Sequence, residues 1–113
     1  VHVQFSSATV NPRTGVVTVT GKITCSEWTY VDYLIEVQQQ VGRIYTINGA
    51  DGAHGDCETP ASFPASFTYR VSFTANSGVF KPGPALVKAT IWYCAMECGM
   101  LYPQQNVRLA PAR

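Results

Sequence analysis

Four cysteines, Cys25, Cys57, Cys94 and Cys98, carry most of the chemistry open to this chain. Four cysteines allow three pairings, and spacing alone does not choose among them. The expected pairing is Cys25 with Cys57 and Cys94 with Cys98, a long-range tie plus a small ring late in the chain. Loop-closure entropy makes the first worth roughly 3–4 kcal/mol and the second about 2 kcal/mol. The rival is Cys25 with Cys94, the inter-sheet bridge of antibody domains, leaving Cys57 for Cys98. Antibody domains place a core Trp on the strand after the first Cys and a Tyr two residues before the second. Here Trp28 follows Cys25 by only three residues, and Trp92 rather than Tyr stands two before Cys94. A third use is a zinc set of His54, Cys57, Cys94 and Cys98, whose spacings are tolerable for Cys3His ligation. Four cysteines in a short chain of low charge point instead to an oxidising compartment, so disulfides are expected and no metal.

Other reactive constellations are thin. Asp51, Asp56 and Glu58 lie among glycines, but the EF-hand order of acids, glycine and a twelfth-position Glu is missing. A solvated glycine loop with turn-forming Asp and Asn is the expectation there. His2 and His54 are the only histidines, and no Gly-x-Ser-x-Gly elbow accompanies them. The seven acids read as strand-surface or loop residues rather than a glycosidase pair. No catalytic residue, enzyme activity or cofactor is expected.

Aromatic and sulfur side chains are the remaining candidates. Trp28 and Tyr30 stand at the start of one strand, while Trp92, Tyr93, Met96, Met100, Leu101 and Tyr102 surround the Cys94–Cys98 interval. In a strand Trp92 and Tyr93 face opposite ways, so one of them leaves the core. The candidate binding residues are therefore Trp28, Trp92, Tyr93, Met96, Met100, Leu101 and Tyr102, an apolar patch for a protein, a glycan or a small apolar ligand.

The elements that must hold these residues are strands. Val17, Val19, Ile23 and Cys25 alternate with Thr18, Thr20, Lys22 and Thr24, the signature of a strand with one solvated face. Gly21 occupies an inner position, where a bulge or a close neighbour would account for the missing side chain. Tyr30–Gln39 repeats the pattern with Val31, Tyr33, Ile35 and Val37 inward, and Leu34 as the one apolar residue outward. Arg43–Asn48 reads as a short hairpin partner, and 48–56 as the most flexible stretch. Phe67, Tyr69, Val71 and Phe73 mark the inner face of a strand over 65–75. Ala85–Cys94 is the longest buried strand and runs directly into the cysteine ring. An edge strand over Val1–Val10 and a last short strand over 106–110 complete the set, with Asn, Pro and Gly supplying the turns. About seven strands in one domain of 113 residues predict an all-β immunoglobulin-like Greek-key sandwich with two disulfides, or else a small Greek-key β-barrel.

Composition narrows the partners. Charged residues make up only 13% of the chain and the net charge is +1, with no basic run, so no electrostatic case for nucleic acid arises. No apolar run approaches the roughly 20 residues of a bilayer-spanning helix, so membrane insertion is not expected. The chain opens on alternating residues from Val1 to Phe5, which fits a mature secreted form whose export signal has been removed.

The run from Val17 to Cys25, the Gln-rich strand after it, Phe80 to Gly83, and Ala89 to Cys94 with a second Cys nearby resemble the small secreted β-sandwich proteins of actinobacteria that have no assigned function. A looser similarity is to the enediyne apochromoproteins, the neocarzinostatin-like family, which are two-disulfide sandwiches of this size that carry an apolar chromophore. Members of that family are acidic, whereas this chain is near neutral and its first two cysteines are further apart; no binding residue is carried over. The expectation is a secreted, extracellular, non-catalytic module that binds a protein partner or copies of itself, through an edge such as Val1–Val10. The alternatives are a binder of a small apolar ligand or glycan, and an extracellular protease inhibitor using the loop around Met96.

Overall fold

In a computed structural model, residues 1–43, 45–57 and 65–112 are described. Among them are eight strands and no helix: β1 (His2–Val10), β2 (Val17–Cys25), β3 (Thr29–Val41), β4 (Tyr45–Cys57), β5 (Ala65–Phe73), β6 (Gly83–Cys94), β7 (Cys98–Leu101) and β8 (Gln104–Pro111). One sheet runs β1-β2-β5 and the other β4-β3-β6-β8, with β7 pairing the far end of β6. A short parallel pairing, Thr9 with Ala110 and Val10 with Pro111, joins them into one path. The strands β4 and β5 at its two ends also approach, with Gly49 and Gly55 of β4 against Phe73 and Phe67 of β5, and just past β5 the Asn76 amide donates to the Asn48 carbonyl at 2.7 Å. The result is an all-β immunoglobulin-like arrangement, a sandwich that nearly closes into a barrel. The eighth strand, beyond the seven expected, is β7, which the sequence did not separate from the segment after Cys98.

Period-two burial builds the core. Val17, Val19, Ile23 and Cys25 of β2 face Val31, Tyr33, Ile35 and Val37 of β3 and Val87, Ala89 and Ile91 of β6, all buried. Tyr69 and Val71 of β5 and Leu109 of β8 complete the interior. Phe80 lies outside the strands, yet it is fully buried with its ring edge-on to Phe73. Gly21 has the close neighbour that its inner position demanded: a methyl there would collide with the Tyr69 hydroxyl and the Gln4 carbonyl.

β4 departs from the sequence reading. The expected short strand and flexible glycine loop are one thirteen-residue strand, paired with β3 from Thr29 opposite Cys57 to Val41 opposite Tyr45. Glycines weaken a strand in isolation, but here they admit neighbours that a side chain would block. A methyl on Gly49 would strike the Thr74 carbonyl, and one on Gly55 the Phe67 ring.

Both expected disulfides are formed, Cys25–Cys57 and Cys94–Cys98. The rival Cys25–Cys94 bridge is excluded by parity, because Cys25 points into the core while Cys94 lies on the outer face with Trp92. All four sulfurs are thereby used, which dismantles the zinc alternative. Cys25–Cys57 ties β2 of one sheet to β4 of the other.

The end of the sandwich away from this bridge is held by a buried amide. Gln39 occupies an inner position after Val37, and its Nε2 donates to the carbonyls of Lys81 (2.8 Å) and Pro84 (3.3 Å). Its Oε1 accepts from the Lys81 amide at 2.9 Å. A polar side chain is tolerated there because it satisfies both backbone groups of Lys81, in the loop ahead of β6. Replacing Gln39 by Leu would strand those groups and lower stability by about 1–3 kcal/mol, measurable by urea unfolding.

Tyr69 supplies a second expectation. Burial, followed by the nearby Tyr33, pushes its phenol well above the ordinary range, while its hydroxyl donates to the Gln4 carbonyl at 3.3 Å. For an acid whose folded pKa is raised, the unfolded chain loses its proton first. This contribution is full below about pH 10 and falls as pH rises beyond it. Tyr69→Phe should lower stability at pH 7 by about 1 kcal/mol and flatten the alkaline loss above about pH 10, read as the pH dependence of the urea midpoint.

Candidate binding face

β6 determines where the candidate aromatics go. Its inner positions Val87, Ala89 and Ile91 are buried, so Tyr93 continues inward and Trp92 turns out. Tyr93 packs against the core with Leu101 of β7, leaving neither of them part of an outer surface. Gly99, opposite Tyr93, leaves room for its ring.

On the outer face, cross-strand register assembles a row. Trp92 is opposite Asp32 of β3 on one side and Met100 of β7 on the other, and Asp32 is opposite His54 of β4. The Tyr102 hydroxyl donates to Met100 Sδ at 3.5 Å, extending the row past β7. One step towards the ring, Tyr30 is opposite both Asp56 and Cys94; one step away, Leu34 is opposite Gly52 and Thr90. The Tyr30 ring stacks on His54 with centroids 6.0 Å apart, and its hydroxyl donates to Asp32 Oδ1 at 3.0 Å. That hydrogen bond to a carboxylate is the main cause of a raised Tyr30 pKa.

Trp92 is 42% exposed, Met100 43% and Tyr102 67%, so each rests partly on the sheet and shows the remainder to solvent. With about 4.8 Å between strands and about 3.3 Å per residue, the patch from β4 to β7 and from Tyr30 to Leu34 is about 14 by 13 Å. Further along the same face the residues turn polar: Glu36, held by the Asn48 amide at 3.2 Å, then Gln38, Lys88, Gln104 and Asn106. Leu86, half-buried opposite Gln38 and Asn106, is the apolar exception there, and the large exposed side chains gather at the end nearest the ring.

Two candidates stand apart from this row. Trp28 lies in the link between β2 and β3, and Met96 caps the ring at 92% exposure. The ring itself closes a tight hairpin, with the Ala95 amide donating to the Glu97 carbonyl at 3.0 Å. Beside it opens a groove of about 370 Å³ whose lining includes Glu27, Tyr93, Met96, Glu97 and Cys98, but not Trp28, Trp92 or Tyr102.

The expected set is therefore divided. Trp92, Met100 and Tyr102 form one surface, Tyr93 and Leu101 belong to the packing beneath it, and Trp28 and Met96 sit at the end of the sandwich. Tyr30, Leu34 and His54 join the surface without having been singled out as binding residues. Leu34 did carry a signal, as the lone apolar residue on a polar strand face. His54 carried none while its segment read as a loop. Of the calcium-loop residues, Glu58 is outside the described residues. Asp51 and Asp56 fall on opposite faces of β4, about 16 Å apart by strand rise. No cluster of three or more metal-ligating side chains occurs among the described residues.

Set against protein-family models, curated proteins and solved structures, the chain matches none significantly.

The division by strand parity has a direct test. Trp92→Ala should change unfolding free energy by less than about 1 kcal/mol, as for an exposed cross-strand pair. Tyr93→Ala should cost about 2 kcal/mol or more, because it opens space against the core. Equal losses in urea unfolding would mean that the two side chains do not lie on opposite faces.

Proposed function

We propose that this protein is a non-catalytic binding module that engages a protein partner through the outer face of β3, β6 and β7. The observation that carries the reading is the row of Trp92, Met100 and Tyr102, with Tyr30 and Leu34 beside it, held in register at one end of a sheet face whose remainder is mostly polar. Aromatic side chains that protrude from a rigid strand lose little freedom on binding, a flexible methionine beside them adapts its shape to the contact, and together they exclude water as anchors of protein interfaces do.

Size favours a partner over an obligate self-assembly. The apolar patch spans about 180 Å², far below the about 800 Å² per side of a standard interface. It therefore suits the central anchor of a modest contact completed by the polar rim of Gln38, Lys88 and Gln104. An assembly through β1 is less favoured, because Val10 already pairs β8 and a bulge between Phe5 and Ser7 interrupts the strand. The groove beside the ring supports an apolar-ligand reading poorly, since two carboxylates line it and the large exposed aromatics do not.

The module acts outside the cell in this reading, supported by two disulfides in a short chain. Among the described residues no helix is long and apolar enough to cross a membrane.

The test is capture from the culture supernatant of the producing cell, followed by titration of the purified partner. Trp92→Ala should weaken that complex by about 2 kcal/mol or more, roughly thirtyfold in Kd, whereas Lys88→Ala on the rim should change it less than about fivefold. Undiminished affinity in Trp92→Ala and in Tyr102→Ala would reject this face.

A further inference from the structure

The two disulfides occupy opposite environments. Cys25 and Cys57 are each 1% exposed inside the sandwich, whereas Cys94 and Cys98 are both exposed on the outer face at its end. A thiolate must reach a sulfur to exchange with it, so access alone separates the two bridges. Cys98 also lines the groove beside the ring, which gives an incoming thiol a place to approach. Glu27 and Glu97 line that same groove, and Asp56 and Asp32 lie on the adjoining strands around Tyr30. Among the described residues no lysine or arginine lines the groove; its two carboxylates outnumber the one cationic group on the lining, the α-amino group of Val1. An anionic thiol is repelled there and a cationic one drawn in, by the same rule that steers charged ligands into clefts of opposite sign.

We propose that Cys94–Cys98 is a thiol–disulfide exchange site, open to a small thiol entering the Glu27–Glu97 groove and selective for cationic aminothiols over anionic thiols. The thiolate attacks Cys98 Sγ, forming a mixed disulfide on Cys98 and releasing Cys94 as a thiolate. A second thiolate then attacks the thiol-derived sulfur of that mixed disulfide, releasing the small-molecule disulfide and Cys98 as a thiolate. Two electrons pass from two thiols to the ring, and each protein thiolate takes a proton from water.

Opening the ring has a structural consequence. β7 is four residues long, pairs only β6 among the described residues, and is tied to it at Cys94 opposite Cys98. Without the tie β7 frays, and Met100 leaves its place beside Trp92. On the binding reading above, reduction would therefore weaken partner capture; the exchange chemistry itself does not depend on that reading.

The experiment uses the intact chain under native conditions, treated with cysteamine or with the anionic thiol mercaptoethanesulfonate, then alkylated and mapped by peptide mass spectrometry. Both thiols are compared at equal thiolate concentration. Alkylated Cys94 and Cys98 should appear at least about tenfold faster than alkylated Cys25 and Cys57. Cysteamine should outpace mercaptoethanesulfonate at low salt, and the double variant Glu27→Gln, Glu97→Gln should bring the two rates within about twofold of each other. Hydrogen exchange of the amides at 98–101 should quicken in the reduced, alkylated protein, while the β3–β4 amides stay protected. Simultaneous opening of both bridges, or earlier opening of Cys25–Cys57, overturns the site. A rate ratio unmoved by the double variant overturns the charge selectivity, and unchanged β7 exchange overturns the coupling. None of these measurements involves a partner, so they succeed or fail separately from the binding face.

Discussion

Strict two-residue alternation on β6 is the constraint on which the rest depends. Val87, Ala89 and Ile91 must face the core, since no other arrangement buries them between the sheets. Once they do, Tyr93 is drawn under the end of the sandwich and Trp92 is forced outward. β3 obeys the same parity with Val31, Tyr33, Ile35 and Val37, and its nine paired positions with β6 lock the register. A slip of one residue would expose four core side chains on β3 alone, which makes the outer row of Asp32, Trp92 and Met100 as fixed as the core beneath it.

The ends of the sandwich are secured by different means. At one end a buried disulfide joins the sheets through Cys25 and Cys57, and an exposed one pins the small β7 hairpin to β6. At the other, Gln39 satisfies the backbone of the loop that leads into β6. Covalent ties thus gather where the candidate face lies, and hydrogen bonding suffices where the surface is polar. A stiff sheet end is what an aromatic anchor requires, because a side chain already held in place loses less freedom on contact.

Much of this was legible in residue types. The alternation of Val and Ile with Thr identified β2, that of Val, Tyr and Ile with Asp, Glu and Gln identified β3, and the opposite orientation of Trp92 and Tyr93 followed from adjacency alone. The glycine-rich segment was not legible, because its strand state comes from pairing with β3 along its whole length and from close approach to β5 at Gly49 and Gly55. That misreading hid His54, whose place beside Tyr30 exists only once β4 is a strand. The expected cluster of seven residues also mixed two faces, since proximity in sequence around a hairpin says nothing about which side of a sheet each residue takes.

What the sequence by itself determined is the class of fold, the inner faces of its strong strands and the oxidised state of its cysteines, all of which follow from local periodicity and composition. Cysteine pairing, the length of β4 and the membership of the outer row were decided only by tertiary structure. Each of these joins residues distant in the chain, and such contacts depend on strand order and register, which local pattern does not contain. Cys25 meets Cys57, and Trp92 meets Asp32 and Met100, because two sheets pack with one register and one parity.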